Sequence, residues 1–284
     1  MKILVTGANG MLGQDLCPIL EDCGHEVVET DVDNLDITNV EQVKKVLTDE
    51  MPDMVIHCAA YTNVDKAEED LKTAELINVT GTENIADTCA RLGITLVYIS
   101  TDYVFDGETV EPYTTEDLPN PINNYGATKY EGEEAVRSLC EKYYVVRTSW
   151  LYGHHGKNFV ETMIGLADRN EINVVDDQVG CPTWTCELAN GIVKLFSKPY
   201  GTYQVCGSGF TTWYGFAKEI FKQYNGICHP ELVSGSLAGE GLKPCTTDEF
   251  PRPAKRPKFS VMDNGGLCRK WQAALKDYLE LRNI

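Results

Sequence analysis

The sequence predicts an α/β fold in which a doubly wound parallel sheet is followed by a smaller C-terminal part. Three observations predict it. Short β-branched runs alternate with longer amphipathic ones through the first half, as repeated βαβ units require. A glycine-rich turn joins the first apolar run to the first helical one. At 284 residues the chain has length for one large domain or two smaller ones around a buried core.

Taken in order, the predicted strands are residues 2–6, 25–30, 53–58, 95–100 and 144–148, each a β-branched run bounded by turn residues. Between them, residues 11–23 and 40–50 carry helical spacing, and Thr38-x-x-Glu41 reads as a capping box for the second helix. A long helix is expected over 70–92. Another begins near Asn124 and runs to about Lys142, because Ala135, Val136, Leu139 and Cys140 recur at three- and four-residue steps with charges opposite. Beyond 150 the alternation loosens, with a strand expected over 172–176 and helices over 187–196 and 214–224. Residues 235–257, rich in Gly and Pro, read as irregular. The division that follows is 1–150 for the sheet domain and 151–284 for the second part, with crossings back to the first.

The apolar fraction of 43% and charged fraction of 24% are those of a folded globular protein. Against 43 acidic residues stand 25 basic ones, a formal charge of −18, so the chain as a whole repels a phosphate backbone and nucleic acid is not an expected partner. A small anionic ligand is not excluded, since a site needs only a few local donors. Eleven cysteines, an odd number without a Cys-x-x-Cys pair, argue against both a disulfide framework and zinc. Cys58, Cys89 and Cys140 fall in apolar patterns where a thiol is a small hydrophobe. The first apolar run is too short for a signal peptide, and no apolar stretch reaches ~18 residues. The expectation is a reduced, cytoplasmic protein without a membrane partner, a monomer or a homodimer.

Chemistry concentrates in three places. Gly7, Asn9, Gly10, Met11, Leu12 and Gly13 lie in a Gly-x-x-Gly-x-x-Gly turn between strand and helix, where glycines permit a tight turn and let backbone N–H groups approach a pyrophosphate. That context points to a Rossmann-type dinucleotide site. Asp31, at the end of the second strand, can accept from the adenosine ribose, which favours NAD over NADP; Asp36 and Ile37 can bracket the adenine. Tyr125 and Lys129, four residues apart, share a helix face, so the ammonium is expected to draw the phenol's pKa down towards neutrality and fit it for proton exchange. Thr101, after an apolar strand, offers a hydroxyl at the carboxyl end of the sheet.

Together these segments resemble the extended short-chain dehydrogenase/reductase superfamily. More narrowly, Ser-Thr-Asp-Tyr-Val-Phe-Asp-Gly (100–107), Tyr-Gly-Ala-Thr-Lys (125–129), Arg-Thr-Ser-Trp-Leu-Tyr-Gly (147–153) and Asp-Gln-Val-Gly-Cys-Pro-Thr (177–183) resemble the dTDP-4-dehydrorhamnose reductase family, and Arg-Pro-Lys-Phe-Ser (256–260) extends the likeness. The resemblance implies NADH- or NADPH-dependent reduction of the C4 ketone of a dTDP-sugar, dTDP-4-dehydro-β-L-rhamnose, for cell-surface polysaccharide. It implies Thr101, Tyr125 and Lys129 as the catalytic trio. By the same resemblance, Ala60, Tyr61, Thr62 and Ile99 join the glycine turn, Asp31, Asp36, Ile37, Tyr125 and Lys129 around the dinucleotide, and Thr101, Asp102 and Trp150 meet the substrate. Tyr103 and Arg256 are further substrate candidates, the guanidinium for a diphosphate.

Two departures matter. Related sugar-nucleotide dehydratases carry Thr-Asp-Glu where this chain has Thr101-Asp102-Tyr103, so dehydration loses an acid and reduction fits better, with epimerase or dehydratase chemistry the alternative. Some family members hold Mg²⁺ at a dimer interface; the matching positions are Asp15 and Glu187, and Asp15 is one methylene short. A non-catalytic regulatory subunit resembling the methionine adenosyltransferase beta subunit is the other alternative. His57 reads as a strand-end or core residue, and His154-His155 as loop.

Overall fold

The computed structural model describes residues 1–228 and 239–282. Its centre is a six-stranded, all-parallel sheet of β1 (Lys2–Thr6), β2 (Glu26–Thr30), β3 (Met54–His57), β4 (Thr95–Thr101), β5 (Tyr143–Thr148) and β6 (Gly201–Gln204), in the order β6-β5-β4-β3-β1-β2. The chain reverses direction of build between β1 and β3, and a ligand crevice opens at the carboxyl ends of the strands beside such a switch. Thr6 pairs in register with His57, and Thr101 with Thr148, so those ends sit level along one rim.

Both faces of the sheet are covered, which is why its strands are continuous hydrophobic runs. On one face α1 (Met11–Asp22) and α5 (Thr185–Leu195) pack Leu12, Leu16, Leu188 and Ile192 onto Ile3, Val5 and Val97. On the other, α2 (Val40–Glu50), α3 (Gly81–Leu92) and α4 (Asn124–Leu139) bury Val43, Ile85 and Val136 against Leu4, Val55 and Leu96. Residues 185–204 return to this sheet from beyond position 150. A separate cluster forms the second part: α6 (Trp213–Cys228) and α7 (Trp271–Arg282) enclose Phe216, Trp271 and Tyr278 with Tyr152 and Trp184. Among the described residues no helix is long and apolar enough to cross a membrane.

Three expectations need correction. The residue capping α2 is Asn39, whose side chain accepts from the Gln42 amide, not Thr38; the Thr38 hydroxyl instead donates to Asp36 at 2.7 Å, closing a local turn. The helix expected over 70–92 is broken into Leu71–Glu75, a π-turn at Leu76–Thr80, and α3. The cause is Asn78, 1% exposed, whose amide accepts from Tyr61 N–H at 2.8 Å and donates to the Tyr61 carbonyl and the Thr128 hydroxyl, a reach that the extra residue of the π-turn permits. Within the region read as irregular, Leu242–Cys245 is a strand parallel to Ile172–Val175; residues 235–238 lie outside the described residues. The edge strand β6 and helix α7 carry no motif that sequence reasoning had used.

Candidate active site

A cleft of about 890 Å³ runs along the carboxyl rim of the sheet, bounded by the glycine turn, the ends of β2, β4 and β5, and α4. At the turn, Gly7 has φ +68°, a left-handed conformation, and a Cβ there would stand 2.7 Å from the Ala59 amide nitrogen across the β1/β3 switch. A Cβ on Gly10 would meet only the Gly7 carbonyl oxygen, so the turn is open towards the cleft. No side chain caps the start of α1. Its first amides are therefore left for a ligand, and the helix dipole favours an anion there.

Gly7, Gly10, Met11, Leu12 and Gly13 line this end, with Asp31, Asp36 and Ile37 from the β2 side and Ala60, Thr62 and Ile99 along the floor. Asn9 and Tyr61 do not line it; Asn9 N–H donates to Asp31 Oδ2 at 3.0 Å, and Tyr61 is held by Asn78. The Asp31 carboxylate thereby braces the glycine turn while also accepting from Val32 N–H at 2.7 Å.

At the other end stand Thr101, Tyr125 and Lys129. The helix bearing the last two is capped by Asn123, whose side chain accepts from Gly126 N–H at 2.7 Å and donates to the Lys255 carbonyl. Gly126 packs on the Tyr103 carbonyl so closely that no side chain fits, which seats the helix against the end of β4. The Thr101 hydroxyl stands close enough to Tyr125 to act on its phenol, while itself donating to Asp102 at 3.1 Å and accepting from Tyr103 N–H at 3.2 Å. Lys129 is 3% exposed, its Nζ 4.1 Å from the centre of the Tyr98 ring.

The electrostatics differ from the sequence expectation. Burial pushes the Tyr125 phenol up to about 12, opposed by the Thr101 hydrogen bond and reinforced by the Asp102 carboxylate; Lys129 does not enter. Burial also draws Lys129 down to about 7, against the pull of Glu133. Sharing a helix face is not enough, because in a desolvated site each group first pays for leaving water. The phenol stays protonated at neutral pH, ready to donate.

Asp102 lines the cleft yet is largely spoken for: Ser260 donates to it at 2.6 Å and Thr101 at 3.1 Å, and burial raises its carboxyl to about 6. Tyr103 meets Tyr125 edge-on at 5.8 Å. Arg256 is not in the cleft lining; its guanidinium donates to Asp65 and to the Ala254 carbonyl, both at 2.6 Å, and reaches Tyr103. Trp150 lines the cleft, stacked on Trp213. Trp213, Lys157, Thr148 and Ser149 are lining residues that sequence reasoning missed. Thr148 and Ser149 sit inside the motif that singled out Trp150, whereas Trp213 lies far along the chain with no local signal.

Other candidates resolve outside the cleft. The Asp15 carboxylate accepts from Thr185 and lies 3.5 Å from His155, while Glu187 is paired with Arg269 at 2.7 Å. Among the described residues no group of three or more His, Cys, Asp or Glu is arranged to hold a metal ion. His57 is buried between the Thr6 and Thr82 hydroxyls, and desolvation lowers it to about 3, so it is neutral. His154 stacks on Tyr278.

The family model described as "RmlD substrate binding domain" matches residues 1–283. A dTDP-4-dehydrorhamnose reductase of Streptomyces griseus is 39% identical over 96% of this chain and 91% of its own. The chain belongs to the dTDP-4-dehydrorhamnose reductase family. Among solved structures, a family member from Clostridium acetobutylicum is similar at 47% identity with a TM-score of 0.93 over the whole of both chains. Another, from Bacillus anthracis and in complex with NADP, is similar at 42% identity and a TM-score of 0.91 over 99% of each chain. Membership in the dTDP-4-dehydrorhamnose reductase family agrees with the Rossmann-type sheet and with Tyr103 standing where dehydratases carry a glutamate.

Proposed function

We propose that the chain reduces the C4 ketone of dTDP-4-dehydro-β-L-rhamnose to the alcohol, with NADH or NADPH as reductant. It is an oxidoreductase of the dTDP-rhamnose pathway type. The observation that carries the reading is the meeting of Tyr125, Thr101 and Lys129 at the end of β4, in one cleft with the open glycine turn.

The residues present fit a dinucleotide. The turn at Gly7 and Gly10 and the uncapped start of α1 suit a pyrophosphate, and the Asp31 carboxylate suits a ribose hydroxyl better than a phosphate. When bound, the nicotinamide supplies the hydride. The protein's own work is acid catalysis and orientation. Tyr125, protonated at neutral pH, donates its proton to the oxygen of the developing C4 alkoxide, while the Thr101 hydroxyl turns its one proton from Asp102 to hydrogen-bond that oxygen. Lys129, buried one turn along the helix, would hold the nicotinamide ribose. Trp150 and Trp213 offer aromatic surface to the sugar nucleotide.

The test supplies dTDP-4-dehydro-β-L-rhamnose with NADH and NADPH separately, follows the reduced-nicotinamide absorbance, and identifies the sugar by NMR. dTDP-L-rhamnose is the expected product. Binding of the dinucleotide without oxidation in the presence of this or any other dTDP-4-keto sugar would overturn the reading.

A further inference from the structure

One buried charge is unused by the mechanism above. Glu133, on α4 one turn beyond Lys129, is 0% exposed. Its carboxylate is gripped by Arg147 of β5 through Nε at 3.0 Å and Nη2 at 2.8 Å, by Arg137 at 2.6 Å, and by the Ser100 hydroxyl at 2.5 Å. Arg147 is 1% exposed and Ser100 3%. As a stabilising device this is a poor bargain, since a buried ion pair is commonly matched by an apolar pair of the same volume. Its placement gives it another use. Ser100 precedes Thr101, so the carboxylate ties the strand end bearing Thr101 to the helix bearing Tyr125 and Lys129.

The groups that bear on Lys129 are few. From the end of β3 comes His57 and just after it Cys58, from β4 the Tyr98 ring, and from its own helix Glu133. Burial keeps His57, Cys58 and Tyr98 uncharged at neutral pH. Glu133, pushed up by burial but held below its ordinary value by its arginines and Ser100, is the one of these that carries charge.

We propose that Glu133 is a positioning residue for the reduction, docking the Thr101 strand end on the catalytic helix through Ser100 and placing a buried carboxylate one helical turn from the buried Lys129. Its part in turnover rests on the reductase reading; its effect on Lys129 does not.

The deciding experiment follows the side-chain ¹⁵N resonance of Lys129 with pH in the full chain without added dinucleotide, for the parent, Glu133→Gln, and Glu133→Gln combined with Arg147→Met. The double variant removes the arginine that the single change leaves unpaired, and so serves where the single variant does not fold. The Lys129 midpoint is expected to fall by about one unit or more, which at pH 7.5 lowers the ammonium fraction, and with it kcat, about tenfold, with recovery towards pH 6. Ser100→Ala, which removes one hydrogen bond and no charge, is expected to lower kcat about fivefold at unchanged dinucleotide Kd. A Lys129 midpoint unmoved in the glutamine variants, or a Ser100→Ala enzyme with parental kcat, would overturn the proposal. A shifted midpoint in a protein that reduces no keto sugar would overturn the reductase reading and leave the charge assignment standing.

Discussion

Trp150 and Trp213 stack face to face, their ring centroids 3.5 Å apart and their planes within 6°. Trp150 follows β5 and has φ +46°, a strained value for a side chain of that size, while Trp213 opens α6 in the second part. The stack is therefore an aromatic bridge between the chain after β5 and the start of α6 that lines the cleft, and Phe159 braces it from 4.7 Å.

Removing half of that bridge should be felt by the sugar nucleotide before the cofactor. Trp213→Ala is expected to raise KM for the keto sugar about tenfold, equivalent to ~1.4 kcal/mol, with a smaller change in kcat. Steady-state kinetics with the second substrate saturating checks it; an unchanged KM would place the bridge outside the binding surface.

Tyr125→Phe keeps the ring and deletes the proton. Turnover is expected to drop by ~10²–10⁴-fold while dinucleotide Kd, read by fluorescence titration, stays near parental. Retention of most of the turnover would remove Tyr125 from the role of acid.

Asp31 presents a carboxylate on the β2 side of the cleft, where it would repel the 2′-phosphate of a dinucleotide bound along the glycine turn. NADH is expected to be used better than NADPH. Asp31→Asn, which keeps an acceptor for only one of the two amides, Asn9 and Val32, that the carboxylate takes, is expected to move the ratio of kcat/KM values towards NADPH about tenfold, roughly one like-charge contact. A ratio that does not move would mean the adenosine end is read elsewhere.

Lys129 carries a stability signature with a definite sign. Its ordinary value of 10.5 falls to about 7 in the fold, so between those pH values the unfolded chain binds the extra proton and stability rises with pH. Lys129→Met is expected to stabilise the protein by a few kcal/mol near pH 6–7, with the gain shrinking as pH approaches 10.5. Urea unfolding at pH 6.5 and 10 measures it; a gain independent of pH would show that packing, not charge, is responsible.

Much of the sheet was legible because each strand of the first half is a β-branched run with its own turn signals, and β1 to β5 fall within a residue or so of their predicted bounds. The glycine turn and the Tyr125/Lys129 pair were legible because strand–turn–helix connectivity and helical spacing are local properties. What was hidden depends on residues distant in sequence. The π-turn exists because Asn78 answers Tyr61 and Thr128, and Asp102 is engaged by Ser260, 158 positions away. Tyr125 departs from the sequence expectation for the same reason: spacing reveals a neighbour, but not how little water is left around both.

The sixth strand has a consequence for how the enzyme comes into being. Because β6 joins β5 from residues 201–204, a ribosome must deliver about seven-tenths of the polypeptide before the sheet acquires its final edge. Ser260 must then thread back to Asp102 before the strand end bearing Thr101 is locked. A nascent chain halted after β5 would offer the Tyr144–Arg147 backbone as an open pairing edge to any neighbour. Splitting this protein after β5 would yield a sticky fragment, not a smaller dinucleotide binder.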